Sequence, residues 1–323
     1  MTSLLEMKDR EYIPNKTYLK MLFGGGLSFS KIFLTNMSNI KKLSSQRSTN
    51  VKYIRPQRRY SLPKYEEGMQ FFRRNEKYKR PTLWCNSHDE TIIALAHKLG
   101  AFKKNDYEFA EAAFEWCKRK LTFEFLPMNN VDQTLYRGTG TCLHINSVFA
   151  ALCRCAGLKT RYKIFAALES QSVYNQLYDE MMRKWYDALG YFSTEADIEV
   201  FIDGKWIVGH AGPTPERQAA MGIPITRFGE ESIGTWFEAI PGTMFRSESI
   251  PYGIGLTMGI LSRIGPGTIN TINANTFNQM KAGEKIFKEK GGEYLYDEEI
   301  RARFKPKFPH IEMKSHDSIV FKE

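Results

Sequence analysis

One stretch, RGTGTCLHINSVFAALCRCAGLKTRYKIF at 137–165, constrains the fold of this chain most strongly. Its glycine-broken start places Cys142 at the beginning of a predicted helix. The apolar residues of that helix recur at helical spacing, at Ile145, Val148, Phe149, Leu152 and Ala156. Gly157 predicts the end of the helix, and Thr160–Ala166 follows with the pattern of a strand. The stretch therefore predicts a helix that is buried along one face and joined by a short turn to a strand.

Two helices are predicted upstream, and another lies downstream of the first strand. The upstream helices are Asp89–Leu99, with Ser87 as its N-cap and Gly100 as its end, and Tyr107–Lys120. Downstream, VYNQLYDEMMRKWYDALGYF has helical periodicity and predicts an inserted helix at 172–191. This helix either covers the sheet or forms a lid over a site.

The stretch EADIEVFIDGKWIVGH predicts a β-hairpin. Its strands are Asp197–Ile202 and Lys205–Val208. They are joined by Asp203-Gly204, a dipeptide that suits a two-residue type I′ turn. Pairing outward from this turn places Asp197 opposite His210, with Glu195 on the diagonal, and residues that lie opposite each other share a face. The hairpin therefore predicts contact between His210 and a carboxylate.

Cys142 is a candidate nucleophile. In the first turn of a helix, free backbone N–H groups and the helix dipole favour an anion, which lowers a thiol pKa and supplies donors for an oxyanion. Gly138 and Gly140 would let the backbone approach a bound acyl group. The alternative is that Cys142, like Cys153 and Cys155 deeper in the helix, is a small buried hydrophobe.

His210 is the candidate base. A nucleophilic cysteine needs a base, and the base needs an orienting group. Of the six histidines, His144 lies on the same helix as Cys142 and points away from it. A carboxylate from Asp197 or Glu195 would fix the His210 tautomer. The alternative is a structural ion pair at a sheet edge. The spacing of these residues is not a recognised metal-ligand set, so neither a metal nor a cofactor is predicted.

The order of these elements resembles the core of the transglutaminase-like superfamily, whose fold is related to that of papain. The resemblance is carried by EFAEAAFEWCKRKLTFEF, GTGTC at a helix start, RCAGLKTRYKIF and EVFIDGKWIV, over roughly residues 85–212. Arg154, Gly157 and Arg161 match the family's join between helix and strand, and Trp206 matches the tryptophan of the last strand. The resemblance implies an α+β fold in which the nucleophile helix packs on an antiparallel sheet, with N- and C-terminal extensions.

The hairpin departs from the family in one respect. The family places histidine four residues before the Glu-Val pair and aspartate four residues after the tryptophan. Here Glu195 and His210 occupy these two places, so acid and base are exchanged. If the sheet geometry is kept, His210 lies farther from Cys142 than the usual base. The catalytic set expected from both lines of reasoning is Cys142, His210, Asp197 and Glu195.

Charge divides the chain unevenly. Residues 1–80 hold 18 Lys and Arg against 6 Asp and Glu, whereas the whole chain has a net charge of +10. We expect a basic N-terminal extension at 1–80, followed by a catalytic domain at 81–323 with a loop-rich part at 211–323.

Five scattered cysteines favour reduced thiols, and the sequence shows neither a signal peptide nor a membrane span, so a soluble cytoplasmic protein is expected.

The resemblance implies acyl chemistry through a cysteine thioester. The expected function is amide formation from an acyl donor and an amine, with an acyl group on an acidic carrier protein as one form of donor that the basic extension would attract. The alternatives are a peptidase or amidase of the same fold, and a binding protein that lost catalysis through the exchanged residues. Nucleic acid is not favoured as a partner. Several aromatic residues suit an aromatic acyl group or the core: Tyr174, Tyr178, Trp185, Tyr186, Trp236 and Phe237.

Overall fold

The computed structural model describes residues 52–177, 193–240, 243–251, 266–311 and 319–321, with the isolated positions 38, 254, 255, 258, 259 and 262. Its helices are α1 (Glu90–Leu99), α2 (Asp106–Lys120), α3 (Val131–Arg137), α4 (Cys142–Cys155), α5 (Gln171–Leu177), α6 (Pro215–Ala220), α7 (Pro266–Lys290) and α8 (Glu293–Arg303). Its strands are β1 (Thr122–Phe123), β2 (Thr139–Gly140), β3 (Lys159–Glu169), β4 (Ser193–Ile202), β5 (Lys205–Gly209), β6 (Phe237–Ala239), β7 (Phe245–Ser247), β8 (Pro309–Ile311) and β9 (Ile319–Phe321). The fold is α+β, as predicted.

Local sequence signals explain the first two helices. The side chain of Asp89 accepts hydrogen bonds from the backbone N–H groups of Thr91 and Ile92, so Asp89 is the N-cap of α1. The prediction that Ser87 is the N-cap was therefore wrong. Gly100 ends α1 in the left-handed conformation, as predicted. Helix α2 begins with a capping box formed by Asn105 and Glu108.

The central sheet is antiparallel and has the order β5-β4-β3-β6, with β7 also paired to β3. The hairpin between β4 and β5 has the predicted register, in which Ile202 pairs with Lys205 and Ile198 pairs with Gly209. Both turn residues have positive φ, 49° at Asp203 and 81° at Gly204, as a type I′ turn requires. Strand β5 ends at Gly209, so residues 193–197 of β4 extend beyond the end of their hairpin partner.

Helix α4 packs against α1, α2, β3 and β4 and is buried along nearly its whole length. Its apolar residues join one face of β4 in the main core. The members from β4 are Ala196, Ile198, Val200 and Ile202. Tyr162 of β3 is completely buried and donates a hydrogen bond to Ser147 of α4, 2.9 Å between the oxygens. Helix α4, which begins at Cys142, therefore lies on the sheet, as predicted.

The residues that matched the family's helix-to-strand join have structural roles. Arg154 is completely buried and donates hydrogen bonds to Thr160 and to the backbone carbonyls of Arg80 and Glu248. The guanidinium of Arg161 lies 3.9 Å from the ring centroid of Trp206, on the outer side of the sheet. These contacts fix the direction in which β3 leaves the helix.

The described part of the basic extension, residues 52–80, packs along the domain. Its partly buried Tyr60, Leu62, Tyr65, Met69 and Phe71 lie against the main core. Arg58 lies beside Gly138, just before α4, and Phe72 lies beside Gly157, just after it. This segment therefore runs along α4 from its N-terminal to its C-terminal end. The domain boundary at residue 80 stays a prediction.

The C-terminal part is more helical than the sequence indicated. Helix α7 has 25 residues, and α8 follows it. Within the part expected to be loop-rich, residues 266–290 and 293–303 are therefore helical, and glycine at 267 and 283 does not break α7. Of the predicted insertion at 172–191, residues 172–177 lie in α5, and the rest lies outside the described residues. Within the described part of the chain, no helix is long and apolar enough to cross a membrane.

A close approach between α7 and α6 depends on Gly283. A Cβ atom at this position would lie 1.8 Å from the backbone oxygen of Glu216. Gly→Ala inside a helix normally stabilises a protein by up to about 1 kcal/mol. Here we expect Gly283→Ala to lower the free energy of unfolding by about 1–3 kcal/mol, because backbone must shift to admit the methyl group. Chemical denaturation measures this, with exposed Ala282→Ser as the control; a stabilised Gly283→Ala variant would contradict the close approach.

Candidate functional site

Cys142 is the first residue of α4 and keeps part of its surface exposed, whereas the other four cysteines are buried; all five are free thiols. Residues 139–141 lead into it as a short extended segment, and β2 pairs with β1 in parallel. The backbone N–H of Leu143 donates a hydrogen bond to the Cys142 sulfur. The N-terminal end of α4 thus places the Cys142 sulfur at the positive end of the helix dipole, beside a backbone N–H donor.

Glu195 is the carboxylate in direct contact with the candidate nucleophile. The carboxyl group of Glu195 lies beside the thiol of Cys142, close enough to influence its protonation. Burial raises the pKa of the Cys142 thiol well above its usual range, and the Glu195 charge adds to this effect. Burial also raises the pKa of Glu195. The expectation of a lowered thiol pKa was therefore wrong for this site, because burial and a neighbouring carboxylate outweigh the helix N-terminus.

His210 and Asp197 form the predicted pair. The Nδ1 atom of His210 lies 2.9 Å from Oδ1 of Asp197, and both side chains are almost completely buried. Burial alone would raise the pKa of Asp197, but hydrogen bonds and charges from His210, Lys163 and Ser232 outweigh it and hold the pKa below its usual range. Asp197 is therefore ionised, and it orients the imidazole through Nδ1.

Gly212 shows how near His210 comes to the cysteine. A Cβ atom on Gly212 would lie 2.9 Å from Cβ of Cys142 and 3.4 Å from Nε2 of His210. The ring nitrogen that is not bound to Asp197 therefore faces the same small space as the cysteine. Only glycine fits between them. Despite the exchange of acid and base, His210 reaches the neighbourhood of Cys142, because the chain turns back toward α4 after Gly209.

Asn146 holds these parts together, and the sequence analysis missed it. It is completely buried on α4, four residues after Cys142. Its Nδ2 atom donates a hydrogen bond to the carbonyl of Ala196, between Glu195 and Asp197, and its Oδ1 atom accepts one from the N–H of Ala211, 3.1 Å away. A buried polar residue one turn after a candidate nucleophile was the available signal, but its partners depend on tertiary structure.

Two more cationic residues lie close to the site. Lys118 of α2 is completely buried, and its Nζ atom lies 3.2 Å from the carbonyl oxygen of Pro213, next to Gly212. Burial lowers the pKa of Lys118 to about 7. Arg217 of α6 is nearly buried, and its charge acts to lower the pKa values of Cys142 and Glu195. The burial of these two groups has the larger effect and raises both pKa values.

His144 has a structural role. Its Nδ1 atom accepts a hydrogen bond from the N–H of Thr141 at the start of α4, and its Nε2 atom lies 3.1 Å from the carbonyl oxygen of Pro127. Burial lowers the pKa of His144 to about 3. A Cβ atom on Gly140 would lie 2.5 Å from Cβ of His144, so this glycine makes room for the histidine ring.

Aromatic residues surround the imidazole. Trp236 and Phe237 lie edge-on to His210, with ring centroids 5.8 and 6.0 Å away. Of the aromatic residues considered from sequence, Tyr178, Trp185 and Tyr186 lie outside the described residues. Among the described residues, no group of three or more His, Cys, Asp and Glu side chains is arranged to hold a metal ion. The chemistry available on these residues is proton transfer and attack by a thiolate.

Glu195→Gln tests the electrostatic cause of the high thiol pKa. Removing the carboxylate charge should lower the pKa of Cys142 and increase its alkylation by iodoacetamide at neutral pH by up to about tenfold, since one pKa unit is a tenfold change in thiolate. Mass spectrometry identifies the modified residue, and Cys142→Ala defines the background. Exposed Glu238→Gln is the matched control. Equal or slower alkylation in Glu195→Gln would show that the carboxylate does not oppose the thiolate.

Part of the chain is similar to known proteins. The model of the transglutaminase-like superfamily matches residues 93–209. A crystal structure from Cytophaga hutchinsonii, named as that of a candidate cysteine protease, matches with 20% sequence identity and a TM-score of 0.32. The match covers 42% of this chain and 40% of that one, so the similarity spans well under half of either protein. At that TM-score, the second match carries no argument about activity. No curated protein matches the sequence.

Proposed function

Residues 93–209 form a domain of the transglutaminase-like superfamily, whose members are generally cysteine-dependent enzymes, and we propose that this protein transfers acyl groups to an amine through a thioester on Cys142. The observation that carries the proposal is the position of Cys142 between two proton acceptors. Glu195 lies beside the thiol, and His210 faces the thiol across Gly212.

The first half-reaction forms the acyl-enzyme. Glu195 accepts the thiol proton as the sulfur attacks the carbonyl carbon of a thioester donor. Its raised pKa makes it a stronger base than an ordinary carboxylate. The helix dipole and the backbone N–H groups at the start of α4 stabilise the oxyanion. When the carbonyl re-forms, the donor's thiolate leaves and takes the proton from Glu195.

The second half-reaction releases the product. The amine attacks the Cys142 thioester and gives up a proton to Nε2 of His210, while Asp197 stabilises the imidazolium through Nδ1. The Cys142 thiolate then leaves and takes the proton from His210, which restores the resting site. The buried position of His210 against Trp236 and Phe237 supports an amine acceptor, because an apolar surrounding disfavours water at the base.

Hydrolysis is the second candidate function. Cys142 and Glu195 both keep part of their surface exposed, so water can reach the acyl-enzyme from that side. Water would then replace the amine as the acceptor, and the product would be a free acid.

The partition between these acceptors can be measured. We expect the protein, given a benzoyl or hexanoyl thioester of N-acetylcysteamine and a panel of primary amines, to form more amide than free acid. Cys142→Ala should reduce either product at least a hundredfold, and His210→Ala should reduce amide formation by about 10²–10⁴-fold, the usual contribution of a general base. Free acid as the main product with every amine would favour the hydrolase, and absence of both products would favour a non-catalytic binding protein.

We further propose that an acidic carrier protein presents the donor at the end of the basic segment that lies beside Cys142. Arg58 and Arg59 are exposed and lie at this end, since Arg58 contacts Gly138. Arg73, Arg74 and Lys77 follow Phe72 at the opposite end of α4, about 20 Å away over its 14 residues. Arg80 is held by the buried Glu248 and is not part of this surface.

Charge reversal at the two ends tests this docking. With an acyl group on an acidic carrier, Arg59→Glu should raise KM about tenfold at low salt, and the effect should shrink at high salt because exposed charges are screened. Arg74→Glu is the matched control at the far end of α4. Activity on the N-acetylcysteamine thioester should not change in either variant. An equal effect of both substitutions would contradict docking at the Cys142 end.

A further inference from the structure

Besides His210, Asp197 contacts a cationic side chain. Lys163 lies directly opposite Asp197 in the β3–β4 ladder, and its Nζ atom is 3.1 Å from Oδ2 of Asp197. Only 3% of the Lys163 side chain is exposed. The amine therefore sits on one side of a buried carboxylate whose other side orients the imidazole.

Lys163 carries its positive charge here. Burial alone would lower the pKa of Lys163, but the carboxylates of Asp197 and Glu231 outweigh burial and raise the pKa. Glu231 contacts Nζ from the solvent side, with more than half of its side chain exposed. The charge of Asp197 is thus neutralised by an ammonium group before His210 takes up a proton.

The other groups that face Asp197 do not neutralise it. Ser232 donates a hydrogen bond, with its Oγ atom 2.8 Å from Oδ1 and 3.0 Å from Oδ2. Glu195 lies two residues away on the same face of β4 and adds negative charge. Arg217 is close enough to act on the pKa values of Cys142 and Glu195, both of which its charge lowers. Among these groups, Lys163 is the cation in direct contact with Asp197.

We propose that Lys163 is a positioning residue that keeps the Cys142 thiol protonated in the resting site, because it competes with the His210 imidazolium for the charge of Asp197. Transfer of a proton from the thiol to Nε2 of His210 moves positive charge toward Lys163. The buried ammonium repels this charge, and burial makes the repulsion strong. A thiolate–imidazolium pair is therefore disfavoured in the resting site until substrate binds.

The inference rests on the proposed function only for its consequence. If Cys142 carries the acyl group as proposed, a protonated resting thiol protects Cys142 from alkylation and oxidation, because these reactions attack the thiolate. The resting state itself can be measured without donor or acceptor. Failure of this inference is therefore distinguishable from failure of the proposed acyl transfer.

The pH dependence of Cys142 alkylation by iodoacetamide tests the inference. In Lys163→Met, His210 can hold a proton beside Cys142, so the midpoint should move down by about one pH unit and alkylation below it should be about tenfold faster. Lys163→Arg keeps the charge and should leave the midpoint unchanged. The faster alkylation of Cys142 should disappear when Lys163→Met is combined with His210→Ala. An unchanged or higher midpoint in Lys163→Met, or a gain that persists without His210, would overturn the inference.

A substitution on the solvent side covers the case in which Lys163→Met does not fold. Glu231→Gln removes an exposed carboxylate and leaves the full charge of Lys163 acting on Asp197. The alkylation midpoint should then move up, with a change of about twofold in rate at fixed pH, opposite in sign to Lys163→Met. Glu238→Gln, also exposed, should leave it unchanged. A downward shift in Glu231→Gln would overturn the proposal.

Discussion

The side chain of Asn146 joins three parts of the chain at one point. From inside α4 it binds the carbonyl of Ala196 on β4 and the N–H of Ala211 after β5. Ala196 lies between the two site carboxylates, and Ala211 lies between His210 and Gly212. Both polar atoms of this buried amide are hydrogen-bonded, and loss of either partner would leave a buried polar group unsatisfied at a cost of about 1–3 kcal/mol. The contact ties together the three segments that carry Cys142, Glu195 and His210.

The exchange of acid and base changes the electrostatics more than the placement of the residues. Burial and the Glu195 charge raise the pKa of the Cys142 thiol, and Lys163 contacts the same Asp197 carboxylate that orients His210. Under the proposal for Lys163, proton transfer from the thiol waits for substrate, and the resting thiol reacts slowly with other electrophiles.

The sequence predicted the features that depend on local patterns. Helical periodicity located α1, α2 and α4, and the Asp203-Gly204 turn predicted the hairpin register and the contact of His210 with Asp197. It did not predict Lys163 or Asn146, because their partners come from strands and loops that are distant in sequence. The predicted lowering of the Cys142 pKa was wrong for the same reason. The helix N-terminus can be recognised in the sequence, whereas the burial of the thiol and its contact with Glu195 cannot. In the C-terminal part, glycine and proline were read as loop signals, but packing of α7 on α6 maintains a 25-residue helix.

The central claim is that Cys142 carries an acyl group during turnover. Intact-mass spectrometry of the protein mixed with a benzoyl or hexanoyl thioester, quenched in acid and mapped by proteolysis, tests it directly. The account predicts one added acyl group, located on Cys142, lost on addition of an amine and absent in Cys142→Ala. An unmodified Cys142 with both thioesters, in a protein whose Cys142 is still alkylated at alkaline pH, would contradict it.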